Sequence, residues 1–342
     1  MIPAKLYQNS IRRLLLVFSL ALVCGSFSLA PAQEPDDVVR TTTSLVQLNV
    51  GVVDSRGRAI TSLSRNDFSI YEDGIKQTIF QFEPTNAPFS VVLLLDMSGS
   101  TLSFREQLKL ASTRFLDALA PEDRVAVVQF NAKVKRLAKF DAKRKDTAYA
   151  IQIAEGAGET HLYEALTYAL KELQREEKRR KAIVVLTDGL DTQMRNVDRA
   201  AVARAQTDEE ALNAIKPNAS APLAAVLNLA DRQGVTIFPL ALPSGDPKRL
   251  PIPGPDITGI YAAARTRLES IANRTGGRLT EINRLDQMAR LYAEVAANLR
   301  TLYTVAYQPP GDRPRDGKWH EIKVEVVHPE LIARTRPGYF AR

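Results

Sequence analysis

Residues 89–95 (Phe-Ser-Val-Val-Leu-Leu-Leu) and 182–187 (Ala-Ile-Val-Val-Leu-Thr) are near-continuous apolar runs, too short for helices and rich in β-branched residues. Such runs suit central strands buried on both faces. Between and beyond them the apolar positions recur at helical spacing over 104–119, ended by Pro121, and over 143–154, 162–174, 223–233, 261–275 and 285–302. Further strands are expected at 125–130 and 235–241, with an alternating edge strand at 134–140. Strands and helices taking turns, with the strands unbrokenly apolar, predict a doubly wound, mostly parallel α/β sheet covered on both sides.

The ends of the chain follow a different period. Residues 46–53 alternate as a strand and 54–57 read as a turn. Residues 68–71 and 77–82 then read as a hairpin about Glu72-Asp73-Gly74. After Arg300 the chain returns to strand signals at 303–307 and at 320–327, which alternates cleanly, and a final segment at 332–339 follows. Neither half holds enough strands to close a core. The two halves are therefore expected to form one small all-β sandwich, with the α/β unit inserted between them. The boundaries read as 1–32 leader, 33–43 linker, 44–88 first half-sandwich, 89–302 α/β domain and 303–342 second half-sandwich. Two polar or Pro/Gly-rich inserts, 193–220 and 243–259, follow the carboxyl ends of strands, where long loops are either functional or plain surface.

Composition changes this picture little, except at the amino end. Lys5, Arg12 and Arg13 precede an apolar stretch at 14–30 that closes on Ala30-Pro31-Ala32, the layout of a secretory signal peptide. An uncleaved membrane anchor is the alternative, and membrane contact is expected only through this segment. The protein is thus expected to be exported, to a periplasm or the extracellular space. Cys24 is the single cysteine and lies in the leader, so cysteine chemistry is excluded from the mature chain. Val23 before it fits a lipoprotein acylation site poorly. The formal charge of +7 loses the three basic residues of the leader, 7 − 3 = +4. The densest basic run, 175–181, is broken by glutamates and lacks interleaved aromatics, so no nucleic-acid partner is expected.

The chemistry gathers where the two buried runs end. Asp96-Met97-Ser98-Gly99-Ser100 follows the first, placing a carboxylate and two hydroxyls at the carboxyl end of a central strand, where α/β sheets form ligand crevices. Asp188-Gly189 ends the second at the same edge. Thr160, in Gly158-Glu-Thr-His-Leu-Tyr-Glu-Ala-Leu166, offers a third hydroxyl from a loop whose glycines permit close approach. Oxygen-only donors suit a hard cation. Taken singly, each of these residues could equally be a cap or turn residue.

In these five positions and their neighbourhoods (Val-Leu-Leu-Leu-Asp-Met-Ser-Gly-Ser, Thr-His-Leu-Tyr-Glu-Ala-Leu, Val-Leu-Thr-Asp-Gly) the chain resembles a von Willebrand factor type A domain with a metal-ion-dependent adhesion site. The resemblance covers about residues 89–302. The flanking β segments, Leu268-Glu-Ser-Ile-Ala272 and Thr275-Gly-Gly277 also look like bacterial secreted proteins related to that domain. The resemblance implies Mg²⁺ (or Mn²⁺) held by Asp96, Ser98, Ser100, Thr160 and Asp188. Ser98, Ser100 and often Thr160 would ligate directly, and the two Asp directly or through water. It further implies an adhesion or scaffold role without catalysis, in which an Asp or Glu of a protein partner completes the metal's coordination. Two carboxylates balance one divalent cation.

Rival chemistries fit less well. A Mg²⁺-dependent phosphohydrolase of the haloacid dehalogenase type needs a second acid two residues after its Asp, and Ser98 stands there. Ser98 and Ser100 lie in no Gly-x-Ser-x-Gly elbow. His161, His320 and His328 have no metal-ligand spacing, and Gly156-Ala-Gly158 lacks the lysine of a phosphate loop. Trp319 reads as a core or edge anchor, and Asn218-Ala-Ser220 as a glycosylation acceptor only in a eukaryote. Asp191 is expected to support its loop. A structural module with a lapsed metal site is the remaining alternative.

Overall fold

The computed structural model describes residues 45–176, 179–242, 254–309 and 317–341. The leader, Cys24, the linker and most of the insert at 243–259 lie outside them. The chain runs through β1 (Val46–Val53), β2 (Phe68–Glu72), β3 (Ile75–Gln77) and β4 (Ile79–Glu83) before entering the α/β region. That region comprises β5 (Phe89–Asp96), α1 (Arg105–Ala118), β6 (Arg124–Phe130), β7 (Val134–Ala138), α2 (Arg144–Gln152), α3 (Leu162–Gln174) and β8 (Arg180–Thr187). It continues with α4 (Thr192–Val202), α5 (Asp208–Ala214), α6 (Ala221–Gln233), β9 (Thr236–Ala241), α7 (Pro255–Thr275), β10 (Thr280–Glu281) and α8 (Met288–Leu299). The chain closes with β11 (Leu302–Tyr307), β12 (Trp319–Val326), β13 (Ile332–Arg334) and β14 (Gly338–Phe340).

The central sheet has the order β10-β9-β8-β5-β6-β7, parallel except for the edge strand β7. All eight residues of β5 are buried. Val91, Leu93 and Leu95 pack into one core layer with α1 and α8, while Val92 and Leu94 pack into the opposite layer with α3, α6 and α7. Two apolar layers leave no face for polar residues, which accounts for the unbroken run. Helix α3 shows the complementary pattern: Leu162, Ala165, Leu166, Ala169, Leu170 and Leu173 form its buried stripe. The strand order reverses at β5, which lies between β6 and β8. The carboxyl ends of β5 and β8 therefore flank the sheet's switch point.

The remaining strands form two four-stranded sheets, β13-β1-β11-β4 and β14-β12-β2-β3, each mixing strands from both ends of the chain. Val46, Leu48, Val50, Tyr303 and Val305 from the first meet Phe68, Ile70 and Ile322 from the second in a shared core. Phe68, Phe82 and Tyr303 cluster across it with ring centroids 5.1–5.9 Å apart. The expected sandwich with an inserted doubly wound sheet is the observed architecture.

Two strand expectations are corrected. Residues 77–82 are not one strand: β3 ends at Gln77, and after Thr78 the chain crosses to the other sheet, where β4 pairs with β11. The crossing buries Ile79 and Phe82 against the Tyr303 face. Residues 332–339 likewise divide into β13 and β14 in different sheets, broken at Thr335-Arg336-Pro337, where proline cannot donate to a ladder. Helix α7 also starts earlier than expected, with Pro255 in its first turn.

Buried polar ties join the sandwich to the α/β sheet. Asn49 of β1 donates to Thr236 Oγ1 (2.9 Å) and accepts from Thr304 (2.6 Å). Arg336 donates to the Asp231 carbonyl at 2.7 Å. Arg180 stacks 3.9 Å above the Phe89 ring and donates to the carbonyls of Thr85, Ala87 and Leu302. Burial pushes its guanidinium down to about 10.

Candidate metal centre

Three loops meet at the switch point. The first leaves β5: the Asp96 carboxylate accepts from the Ser98 amide (3.0 Å) through Oδ1 and from the Thr187 hydroxyl (2.8 Å) through Oδ2. A six-residue 3₁₀ turn, Gly99–Phe104, then carries the chain into α1. Ser98 and Ser100 hydroxyls lie 3.2 Å apart, with Ser98 fully buried and Ser100 exposed. The carbonyls of Met97 and Ser98 accept from Arg105 at 3.2 and 3.3 Å. The loop is thereby locked from behind.

The second loop, before α3, carries Thr160. Gly158 accepts from the Gly99 amide (3.0 Å), fastening it to the first loop, and its φ of +80° suits glycine alone. Gly156 sits so close that a Cβ there would lie 2.6 Å from the Met97 carbonyl oxygen. Thr160 is buried and clamped to the start of α4: its amide donates to the Thr192 hydroxyl and its carbonyl accepts from the Thr192 amide, both at 2.9 Å.

The third loop leaves β8. Asp188 Oδ1 accepts from the Leu190 amide at 3.0 Å, while its buried Oδ2 has no hydrogen-bond partner. Asp191 is the N-cap of α4, accepting from Gln193 and Met194 amides, and is thus a loop support as expected. Asp96 and Asp188 are turn acceptors and cap no helix.

The electrostatics of the pair are adverse in the bare protein. Burial, and behind it the Asp188 carboxylate, pushes Asp96 up to about 7 against the hydrogen bonds from Ser98 and Thr187. Burial raises Asp188 as well, opposed by the Leu190 amide, the Ser100 hydroxyl and the Arg265 charge on α7. Two buried carboxylates with one oxygen left unpaired, beside hydroxyl donors, fit a hard divalent cation, which would relieve both the repulsion and the orphaned oxygen. The residues suit the group.

The structure brings Asp96, Ser98, Ser100 and Asp188 together, and holds Thr160 to the start of α4 through its backbone, its loop being tied to the serine loop at Gly158. Sequence reasoning missed Thr187, Arg105 and Thr192, which position the candidate ligands. A polar residue ending an apolar strand, or opening a helix beside a carboxylate, is the signal that points to them. It also missed a second cluster among the described residues: ligand atoms of Glu72, Asp73 and His320 lie within 4.8 Å of one another. There His320 Nδ1 is 2.7 Å from Asp73, Tyr339 donates to Glu72 at 2.9 Å, and the group ties the β2–β3 turn to β12.

Residues 91–190 match the family model of the von Willebrand factor type A domain. No curated protein matches the chain. Among solved structures, a von Willebrand factor type A protein from Catenulispora acidiphila is similar at 13% identity (TM-score 0.47), over 82% of this chain and 74% of that one. The corresponding domain of the type V pili tip protein Mfa5 from Porphyromonas gingivalis is similar at 14% identity (TM-score 0.47), over 62% and 95%. The proximal thread matrix protein 1 of the mussel byssus, with zinc occupying its metal-ion-dependent adhesion site, is similar at 16% identity (TM-score 0.43), over 66% and 48%. The chain thus spans about half the length of the mussel protein. At such scores these likenesses say nothing of ligands or partners here.

Proposed function

We propose that this chain, whose residues 91–190 match the family model of the von Willebrand factor type A domain, is an exported, divalent-metal-dependent protein-binding module without catalytic activity. One observation carries the reading: the buried Asp96 and Asp188 at adjacent strand ends, with Asp188 Oδ2 unpartnered and hydroxyls around them. Asp96, Ser98, Ser100, Thr160 and Asp188 would hold Mg²⁺ or Mn²⁺. When bound, the ion would supply an electrophilic centre to which a carboxylate oxygen from an Asp or Glu of a protein partner could coordinate. The chain's own residues do the rest. Arg105 and Gly156 keep the serine loop in place, Thr192 holds Thr160, and Thr187 orients Asp96.

No group stands ready to donate a proton at the position two residues after Asp96, where the Ser98 hydroxyl meets Ser100. Export is supported by the leader at 1–32 and is checked by the amino-terminal sequence of the secreted form. Among the described residues no helix is long and apolar enough to cross a membrane.

Calorimetric titration of the purified protein with Mg²⁺ and Mn²⁺ tests the metal site. Saturable binding by the wild type, lost in Asp96→Asn, is expected; absence of binding at millimolar metal overturns the reading. Hydrolysis of a generic aryl phosphate by the metal-loaded protein would overturn the non-catalytic part.

A further inference from the structure

A groove of about 860 Å³ opens beside the serine loop, between α1, the β6–β7 edge of the sheet and the segment after α2. Arg105 and Lys109 line it from α1, Lys135 from β7, Gln129 from β6, and Ile153 and Glu155 from the segment after α2. Its inner wall abuts the serine loop of the candidate metal centre: Arg105 donates to the Met97 and Ser98 carbonyls, and Gly156, also in the lining, packs against Met97. The groove and the centre thus share one loop.

The charge in the groove is one-sided. Three cations line it against the single carboxylate of Glu155. Arg105 Nε is buried without a hydrogen-bond partner, and Lys109 meets only the highly exposed Glu106 at 3.5 Å. Gln129 holds the Glu155 backbone at both ends, donating to its carbonyl (2.8 Å) and accepting from its amide (3.2 Å), so the wall is preformed. Leu137 and Ile153 add apolar surface to the lining, Ile153 being 53% exposed. Basic side chains that outnumber the carboxylates, beside the exposed Ile153, are complementary to acidic residues interleaved with apolar ones.

We propose that this groove receives an acidic, apolar-containing segment of the partner protein, continuous with the carboxylate that reaches the metal. The proposal rests on the metal-dependent capture put forward above. Arg105, Lys109 and Lys135 would then select for partners whose acidic residue sits in an acidic stretch, and would speed their encounter at low salt.

The test uses a fluorescein-labelled peptide of alternating Glu and Leu, and the same peptide with Gln for Glu, read by anisotropy at low salt in Mg²⁺ and in EDTA. The wild type is expected to bind the acidic peptide in Mg²⁺ and to ignore the Gln peptide. Lys109→Glu with Lys135→Glu is expected to weaken that binding about tenfold or more, from like-charge repulsion. Lys171→Glu, on the exposed face of α3, should leave it unchanged. Calorimetric Mg²⁺ binding and thermal midpoint are measured on every variant. Intact Mg²⁺ binding with no peptide binding by the wild type overturns the groove alone, as does binding indifferent to the double reversal. Loss of Mg²⁺ binding in the wild type overturns the metal reading itself. A single-stranded oligonucleotide bound as well as the peptide, through the same lysines, would overturn the commitment to an acidic protein segment.

Discussion

Asp96 is a residue on which stability and binding pull in opposite directions. Its carboxyl is held up to about 7 by burial and by Asp188. A proton held more tightly in the folded state than the unfolded contributes stability that is complete below the ordinary value of 3.8. That contribution is lost as pH rises from there through about 7. In EDTA, the thermal midpoint of the wild type should therefore fall between about pH 5 and about pH 8, while Asp96→Asn, which carries no charge to bury, should fall less. At the higher pH the variant should be the more stable metal-free protein, and yet titrate no Mg²⁺. A midpoint in EDTA equally flat in both proteins would sink the idea. Gly156 makes a second prediction at this scale: Gly156→Ala puts a methyl 2.6 Å from the Met97 carbonyl oxygen and 2.9 Å from Asn131. Urea unfolding should show a loss of about 1–3 kcal/mol, with weaker metal binding because the serine loop must move. The candidate ligands were legible because each carboxylate follows a buried apolar run, which locates it at a strand's carboxyl end. Arg105 and Thr187 were not, since a helix-opening arginine and a strand-ending threonine look like surface residues until their neighbours are known.

At the scale of elements, the insert after β8 matters through one ion pair. Asp198 on α4 and Arg267 on α7 are joined by two hydrogen bonds of 2.6 and 2.7 Å, both side chains almost fully buried. Arg267→Ala leaves the Asp198 charge buried and alone, and should cost about 3–5 kcal/mol in urea unfolding. Replacing both residues, with Asp198→Leu and Arg267→Met, should recover much of that loss. If the double replacement is no better than the single, the pair acts through packing and not through charge. The elements that could be read from the sequence were those with one unbroken period: β5, β8 and α3 lie where their patterns put them. The misread stretches, 77–82 and 332–339, both change sheet while facing one core; at 77–82 only Thr78 separates the strands and nothing in the spacing marks the crossing, whereas Pro337 marks the break in 332–339.

Across the whole molecule, β11 is the strand that both ends of the chain depend on. It follows α8 directly and lies between β1 and β4, pairing with both. A chain ended at residue 301 keeps every strand of the α/β sheet but leaves β1 and β4 without the strand between them. Their apolar faces, Val46, Leu48, Val50 and Ile79, would open to water. Such a truncation is predicted to elute as aggregates in size-exclusion chromatography; a well-behaved monomer would show that the α/β domain does not need its sandwich.

The bond from Thr304 to Asn49 spans 255 residues, and the whole of the α/β domain is made between the two. While the chain is being synthesised, its first strands emerge long before the partner that covers them, and contacts this distant in sequence form slowly. The half-made sandwich is therefore a surface a chaperone can hold, and it closes only when β11 to β14 have cleared the ribosome. The amino-terminal strands act, during that interval, as a timer on the rest.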